Sequence, residues 1–402
     1  MITEDNLLVE QGEGDYLSVR ELTVAGSDRE IGRDLASYAR AHFGTRLARY
    51  ADPVYGTARR AYLERNWPAF AERAEAFGLD ADSDGFDPTG LGYDVPVPPG
   101  CSAVWVPPAL TDTGRPLIGR NLDWYTMTFS AMLGREPASG EHGSYSRNVA
   151  IRFRPDGGRA TLQIGSHDLL CPNIDGINED GLFACILVGS TGRGDLGAAP
   201  AGGFDSGLST NQVLGFILDR AATVAEAKLA LLGQHVFTPM DNGEHWLIAD
   251  AHGAATVFEI DADTRQYRFT DAGPDEVFIV ANHTLHRYPD PGTFPKVDMD
   301  AEHNTFVRHL LLQRAIDTHT GPWTGEDVTA LIDTVNCAFA DNNKAGTANG
   351  WPERTLWTYL ADPVERSLTA RFYRRDGDPI PGTNHLQTFY TEPLTLQLKD
   401  TL

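Results

Sequence analysis

The sequence predicts an α+β protein whose antiparallel sheets are covered by helices. Two observations carry this expectation. Apolar runs of strand length recur in pairs around Asp- and Gly-containing turns, and helical periodicity is confined to separate blocks. A third observation sets the scale: 402 residues, 41% hydrophobic and 22% charged, suffice for a sizeable core.

The elements follow in chain order. Residues 15–80 read mainly as helix. Ser27-Asp28-Arg29-Glu30 has the form of a capping box, after which Ile31, Leu35 and Tyr38 recur at helical spacing and Pro53 closes the segment. A second helix is expected from Thr57 to Phe77, with Gly78 as its stop. The run DADSDGFDPTGLGYDVPVPPG, residues 80–100, is rich in Asp, Gly and Pro and reads as a boundary loop. Beyond it SAVWVPP and RPLIGRNLDW flank the turn TDTG as a hairpin. Asn148 to Phe153 and Ala160 to Ile164 flank PDGG as another. INEDGLFACILVG reads as turn then buried strand, residues 189–207 as a glycine-rich loop, and Thr210 to Leu232 as helical. HWLIADAHGAATVFEI holds two strands around His252-Gly253, and a short strand from Phe278 to Ala281 ends at Asn282. Helices near 303–318 and 325–336 precede a closing hairpin that turns at Asp362-Pro363.

Charge and composition exclude several functions. With 33 basic and 56 acidic residues the net charge is −23, unsuited to nucleic acid or an anionic membrane surface, which need clustered Lys and Arg. The N-terminal MITEDNLLVEQGEGD has neither a basic nor an apolar signal region, and no apolar run approaches a membrane span, so a cytoplasmic protein is expected. Cys101, Cys171, Cys185 and Cys337 are widely spaced and suggest neither a disulfide framework nor a zinc site. His283 and His286 are three apart, but no carboxylate follows at helical spacing and Pro289 breaks the segment, so no metal or other cofactor is expected. The loop GSTGRGDLGAAPAGG lacks the Gly-Lys-Ser/Thr ending of a phosphate loop and reads as a rim over a pocket.

One stretch carries chemistry. In GCSAVW, Cys101 follows Gly100, whose carbonyl offers little steric cover. The hairpin returns Arg120-Asn121-Leu122-Asp123-Trp124 beside it, bringing a guanidinium and a carboxylate toward the thiol. Alternation places Arg120 and Leu122 on one face and Asn121 and Asp123 on the other, which leaves their roles open. A thiol in such company can attack an amide carbonyl and form a thioester. It needs a base, and no His in this region supplies one. A free α-amine at Cys101, with a pKa of about 7.7–8.0, would serve once the Gly100–Cys101 bond is cut. A small apolar residue at the start of a strand would look the same in the sequence.

The motifs GCSAVW, RNLDW, DGINEDGLFAC, HWLIADAHGAATVFE, VANHTLH, NTFVRHLLLQRA and LWTYLADPVERSLTARFY occur in this order across residues 101–375. Together they resemble the N-terminal-nucleophile hydrolases of the linear amide C–N hydrolase group, which includes the choloylglycine hydrolases and the isopenicillin N acyltransferase-like enzymes. The resemblance implies a four-layer αββα sandwich, residues 101–402, preceded by a helical prosegment, residues 1–100, that is removed by self-cleavage between Gly100 and Cys101 and becomes the second chain of a heterodimer. It implies Cys101 as nucleophile, Arg120 and Asp123 as partners of the thiol and amine, and Asn282 as an oxyanion donor. Two departures touch the pocket. Thr305 stands where bile salt hydrolases have an arginine, with Arg308 one turn later. Val188 or Gly189 stands where they have Asn or Tyr. Trp124, Tyr125, Phe183 and Trp246 are candidate walls of an apolar acyl pocket, with Val188 and Thr305. The implied activity is hydrolysis of a linear amide in an N-acyl small molecule. Transfer of an acyl group, for instance from acyl-CoA, to an amine is one alternative; a small-molecule binder that has lost catalysis is the other.

Overall fold

The computed structural model describes residues 1–43, 52–78, 100–132, 134–166, 169–170, 174–189, 205–237, 243–261, 264–299, 303–341 and 350–398. The boundary loop expected at 80–100, apart from Gly100, the glycine-rich loop at 190–204 and Cys171 lie outside these residues.

The chain opens with β1 (Ile2–Val9) and β2 (Ser18–Gly26), then α1 (Asp28–Phe43), α2 (Pro53–Asn66) and α3 (Pro68–Gly78). Next come β3 (Cys101–Val106), β4 (Leu117–Tyr125), the short α4 (Phe129–Met132), β5 (Arg147–Pro155), β6 (Thr161–Gly165), β7 (Asp175–Asn178) and β8 (Phe183–Gly189). β9 (Leu208–Ser209), α5 (Val213–Arg220), α6 (Val224–Leu232) and β10 (Val236–Phe237) lead into β11 (Gly243–Ala249), β12 (Ala255–Ile260), β13 (Tyr267–Asp271) and β14 (Phe278–Val280). The chain continues with α7 (Thr305–Thr318), α8 (Gly325–Asp333), β15 (Glu353–Asp362), β16 (Ser367–Pro379), β17 (Leu386–Tyr390) and β18 (Leu394–Gln397).

Two sheets dominate. The nine-stranded one runs β1-β2-β5-β6-β7-β8-β11-β12-β13, and the seven-stranded one runs β14-β3-β4-β15-β16-β17, with β18 also on β16. Strand alternation sorts their side chains into layers. Ala103 and Trp105 of β3, Ala150 of β5, Cys185 and Leu187 of β8 and Leu247 of β11 meet in the core between the sheets. Val149, Ile151 and Phe153, Ile186, Trp246 and Ile248 face the other way, against α1–α3, α5 and α6. Val104 and Val106 pack on the far side of the seven-stranded sheet with Leu312 of α7 and Val328 and Ile332 of α8. The layers are therefore αββα, as expected. No helix among the described residues is long and apolar enough to cross a membrane.

The lead differs from expectation. It begins as sheet, not helix: β2 pairs in parallel with β5 over nine residues, and β1 forms the sheet's edge. Val19 and Leu17 enter the inter-sheet core while Leu22 and Val24 pack under the helices. β1 is hard to read because most of ITEDNLLV is exposed and carries charges, a device that protects sheet edges. The capping box holds: Ser27 N donates to Glu30 Oε2 at 3.0 Å and Glu30 N to Ser27 Oγ at 3.4 Å, starting α1. Pro53 opens a helix instead of closing one. Asp52 caps it by accepting from Val54 N at 2.7 Å, and proline is tolerated in a first turn because its missing N–H has no intrahelical partner there. The expected helix Thr57–Phe77 breaks at Trp67-Pro68 for the complementary reason, since the residue before proline is pushed out of the helical region.

Candidate functional site

The site forms where β3 begins. Cys101 pairs with Leu122 of β4, so its thiol points inward with Ala103 while its backbone nitrogen lies at the open strand end. Arg120 sits on the same inward face, two residues from Leu122. Its Nη2 lies 3.4 Å from Cys101 Sγ, and it also donates to Ile186 O at 2.8 Å and to Asn121 O. Its charge is balanced across the core by Asp175 of β7, at 3.2 Å from Nε. Asp175 also accepts from Trp357 Nε1 at 2.8 Å and Tyr359 hydroxyl at 2.9 Å. Burial pushes the Cys101 thiol up, opposed first by Arg120, while the charge on Asp123 adds to the rise. This group is therefore a protonated thiol at neutral pH.

The strand's opposite face builds the rest. Asn282 follows β14, which pairs with β3, and its Oδ1 accepts the backbone N–H of Cys101 at 2.7 Å. Arg308 Nη2 donates to the same Oδ1 at 2.6 Å; two donors on one atom identify it as oxygen and leave Nδ2 as a donor. That Nδ2 reaches Val188 O at 2.5 Å. Arg308 also donates to Ser102 Oγ at 2.8 Å and to Cys101 O. Thr305, at the start of α7, accepts from Asn282 N and His283 N, both at 2.8 Å. His283 Nδ1 lies 2.9 Å from the same hydroxyl. Burial holds this ring neutral, its pKa down at about 2, and the hydroxyl, which already accepts two N–H groups, has only its own proton to give, so Nδ1 is the acceptor.

Asp123 is the third component. Its Oδ1 accepts from Thr355 Oγ1 at 2.5 Å, and its Oδ2 is buried without a hydrogen-bond partner among the described residues. Burial raises its carboxyl above the ordinary range, against the pull of Arg308 and the Thr355 bond. Its backbone N–H donates to Gly100 O at 3.0 Å. Glu353 of β15 completes the surroundings of Gly100, accepting its N–H at Oε1 at 2.8 Å. Burial, then the charge on Asp123, pushes Glu353 up to about 7. A Cβ at position 100 would lie 2.8 Å from Glu353 Oε1 and 3.1 Å from Asp123 Oδ2, so only glycine fits there without displacement.

The fold thus brings Cys101, Arg120, Asp123, Asn282 and Arg308 together with Gly100, and it places Thr305 and Val188 against Asn282. Trp124 and Tyr125 continue the same strand into the inter-sheet core. Trp124 Nε1 donates to Ser144 Oγ at 2.8 Å, and Tyr125 meets Trp351 edge-on at 5.2 Å. Phe183 faces that core too, but Trp246 does not: it packs on the helix side of its sheet, stacked on Phe258 at 5.2 Å, and so cannot line a pocket at Cys101. Cys185 is buried beside Arg120, and Cys337 is buried with its thiol on Glu353 O at 3.3 Å. Sequence reading missed Asp175, Glu353, Thr355 and Glu259. Glu259 Oε1 accepts from Leu285 N at 2.8 Å and lies 3.1 Å from His245 Nδ1. Its Oε2 accepts from His286 N at 3.1 Å and lies 2.9 Å from His286 Nδ1, pinning the turn after Asn282. His286 also lies 3.0 Å from Asp261. The acidic residues in DGIN and PERT were the available signal for the first two.

Chemically, the arrangement offers a thiol beside a guanidinium, a carbonyl at Gly100 polarised by a backbone N–H, and an amide nitrogen at Cys101 held by an acceptor. Among solved structures, the fold is similar to three chains. Penicillin V acylase from Agrobacterium tumefaciens is 15% identical with a TM-score of 0.45, covering 68% of this chain and 82% of its own. Two variants of conjugated bile acid hydrolase from Clostridium perfringens are 14% identical. Their TM-scores are 0.45 and 0.42, covering 72% and 75% of this chain and 96% and 98% of their own. No protein-family model matches the chain, and no curated protein matches it.

Proposed function

We propose that the chain is a self-processing cysteine amidohydrolase that cleaves a linear amide in an N-acyl small molecule. One observation carries the reading: both halves of the Gly100–Cys101 peptide are held for reaction. The carbonyl oxygen rests on Asp123 N–H at 3.0 Å and the nitrogen on Asn282 Oδ1 at 2.7 Å, with the thiol beside Arg120.

In the first reaction Cys101 Sγ attacks the Gly100 carbonyl carbon, and the Asp123 N–H meets the oxyanion. The C–N bond breaks, and the Cys101 nitrogen leaves as an amine, taking the thiol's proton. Water then hydrolyses the Gly100 thioester. In later turnovers the new α-amine removes the thiol proton, held between Asn282 Oδ1 and the Oδ2 of Asp123, which has no partner among the described residues. The same groups resolve the substrate's thioester with water. Asn282 Nδ2, whose second hydrogen remains after Val188 O, is the side-chain donor for the substrate oxyanion. Residues 1–100 stay as a second chain, because β2 lies inside the nine-stranded sheet.

Mass spectrometry of purified protein tests the reading. Wild type is expected as two chains divided after Gly100, and Cys101→Ala as one chain of 43.9 kDa without amidase activity. An intact wild-type chain that hydrolyses amides would overturn it.

A further inference from the structure

Gly100 is more than a cleavage point. In the first reaction it is the acyl group on Cys101 Sγ, bound by the same sulfur that later carries the substrate's acyl group. What holds Gly100 is therefore what an incoming acyl group meets once the lead's end has moved away. Two features hold it. Glu353 Oε1 accepts its N–H at 2.8 Å, and the same oxygen with Asp123 Oδ2 closes the space where an L side chain would begin, at 2.8 and 3.1 Å. Glu353 has no part in the thiol or oxyanion chemistry above, and it is buried.

We propose that Glu353 is the acyl-recognition residue of the mature enzyme, and that its substrates are amides of N-acylglycyl groups, with an N–H on an α-carbon that lacks an L side chain. This rests on the amidohydrolase reading. The reaction consumes one water and no other co-reactant. Cys101 Sγ bonds to the glycyl carbonyl carbon, the amide C–N bond breaks, and the thiol proton leaves with the amine by way of the Cys101 α-amine. Water then splits the thioester to an N-acylglycine and restores the thiol. Removal of Gly100 also aids substrate entry. Its new carboxylate would stand beside Asp123 and Glu353, and three acidic groups in a buried site repel one another.

The test compares three p-nitroanilides on the self-cleaved wild-type protein: N-acetylglycyl, 4-oxopentanoyl (a methylene in place of the α-N–H) and N-acetyl-L-alanyl. An acceptor left unpaired predicts that kcat/KM for the 4-oxopentanoyl compound is about ten- to hundredfold below the glycyl one, and the steric contact predicts a similar loss for alanyl. Glu353→Leu should bring the glycyl to 4-oxopentanoyl ratio to about one. Glu353→Gln, which keeps an acceptor oxygen, should retain most of it. The wild-type comparison stands even if a variant does not mature. Hydrolysis of all three at similar rates overturns the acyl-recognition role and leaves the amidohydrolase intact. Self-cleaved protein that turns over none of them overturns the acyl-recognition role alone, whereas wild-type protein that stays uncut overturns the reading it rests on.

Discussion

Arg120 of the seven-stranded sheet and Asp175 of the nine-stranded sheet form an ion pair 3.2 Å apart, both fully buried, and the same guanidinium lies 3.4 Å from Cys101 Sγ. The thiol's electrostatics therefore depend on a carboxylate from the opposite sheet. Asp175→Asn removes the charge that offsets Arg120, so the guanidinium acts more strongly on sulfur and the thiolate becomes easier to form. Arg120→Met does the reverse. The pH profile of Cys101 alkylation by iodoacetamide is expected to move to lower pH in the first variant and to higher pH in the second. Asp175→Asn should also cost about 3–5 kcal/mol of stability, because it leaves a buried charge uncompensated. Unchanged profiles in both variants would remove Arg120 from the account of the thiol.

Gly100→Ala tests the fit around the proposed scissile bond. The added Cβ meets two carboxylate oxygens, one of them at 2.8 Å, so either the Glu353 side chain or the Gly100 backbone that rests on Asp123 N–H must shift. Self-cleavage is expected to slow by about tenfold or more, as small misplacements of reacting groups do. The fraction of uncut chain against time after synthesis measures it. A variant that matures at the wild-type rate would show that this contact is relieved at no cost to the reaction.

The hairpin that carries Cys101, Arg120 and Asp123 was legible because local turn chemistry and strand alternation specify it. Arg308 was legible only as one turn beyond Thr305, and its place on Asn282 Oδ1 depends on how α7 packs. Glu353 and Asp175 were not legible. Each is one acidic residue near a strand end, and their relevance comes from pairings 253 and 55 residues apart in the chain. The strands of the lead were missed because β1 is mostly exposed and β2 runs directly into a strong helix start at Ser27. The same packing that hid them makes a prediction.

β2 is paired on both sides, and Asp15 bonds to Arg374 Nε and Arg375 Nη1, both at 2.9 Å. Withdrawing residues 1–100 would uncover Leu17, Val19, Leu22, Val24 and the helices over them, at roughly 25 cal/mol per Å² of apolar surface. If the proposed cut is made, the protein is expected to run as one species in size-exclusion chromatography and as two chains on a denaturing gel. Separation of the two under native conditions, with activity left in residues 101–402, would contradict this arrangement.

Glu353 gives the chain a pH-dependent stability of definite sign. Its folded pKa of about 7 lies above the ordinary 4.5, so between those values the native state keeps a proton that the unfolded chain has lost. The stabilisation is complete below about 4.5, declines as pH rises, and is gone above about 7. Glu353→Gln cannot lose it, since the amide stays neutral and still offers an oxygen to Gly100 N–H. In a Cys101→Ala background, which keeps the chain whole, Glu353→Gln should therefore stabilise the protein at about pH 8 by roughly 3 kcal/mol and change little at about pH 5. Denaturation midpoints at the two pH values measure the difference. An equal effect at both would mean that the carboxyl does not titrate in this range. A loss confined to pH 8 would mean that its charge stabilises Gly100 by more than burial and Asp123 cost it.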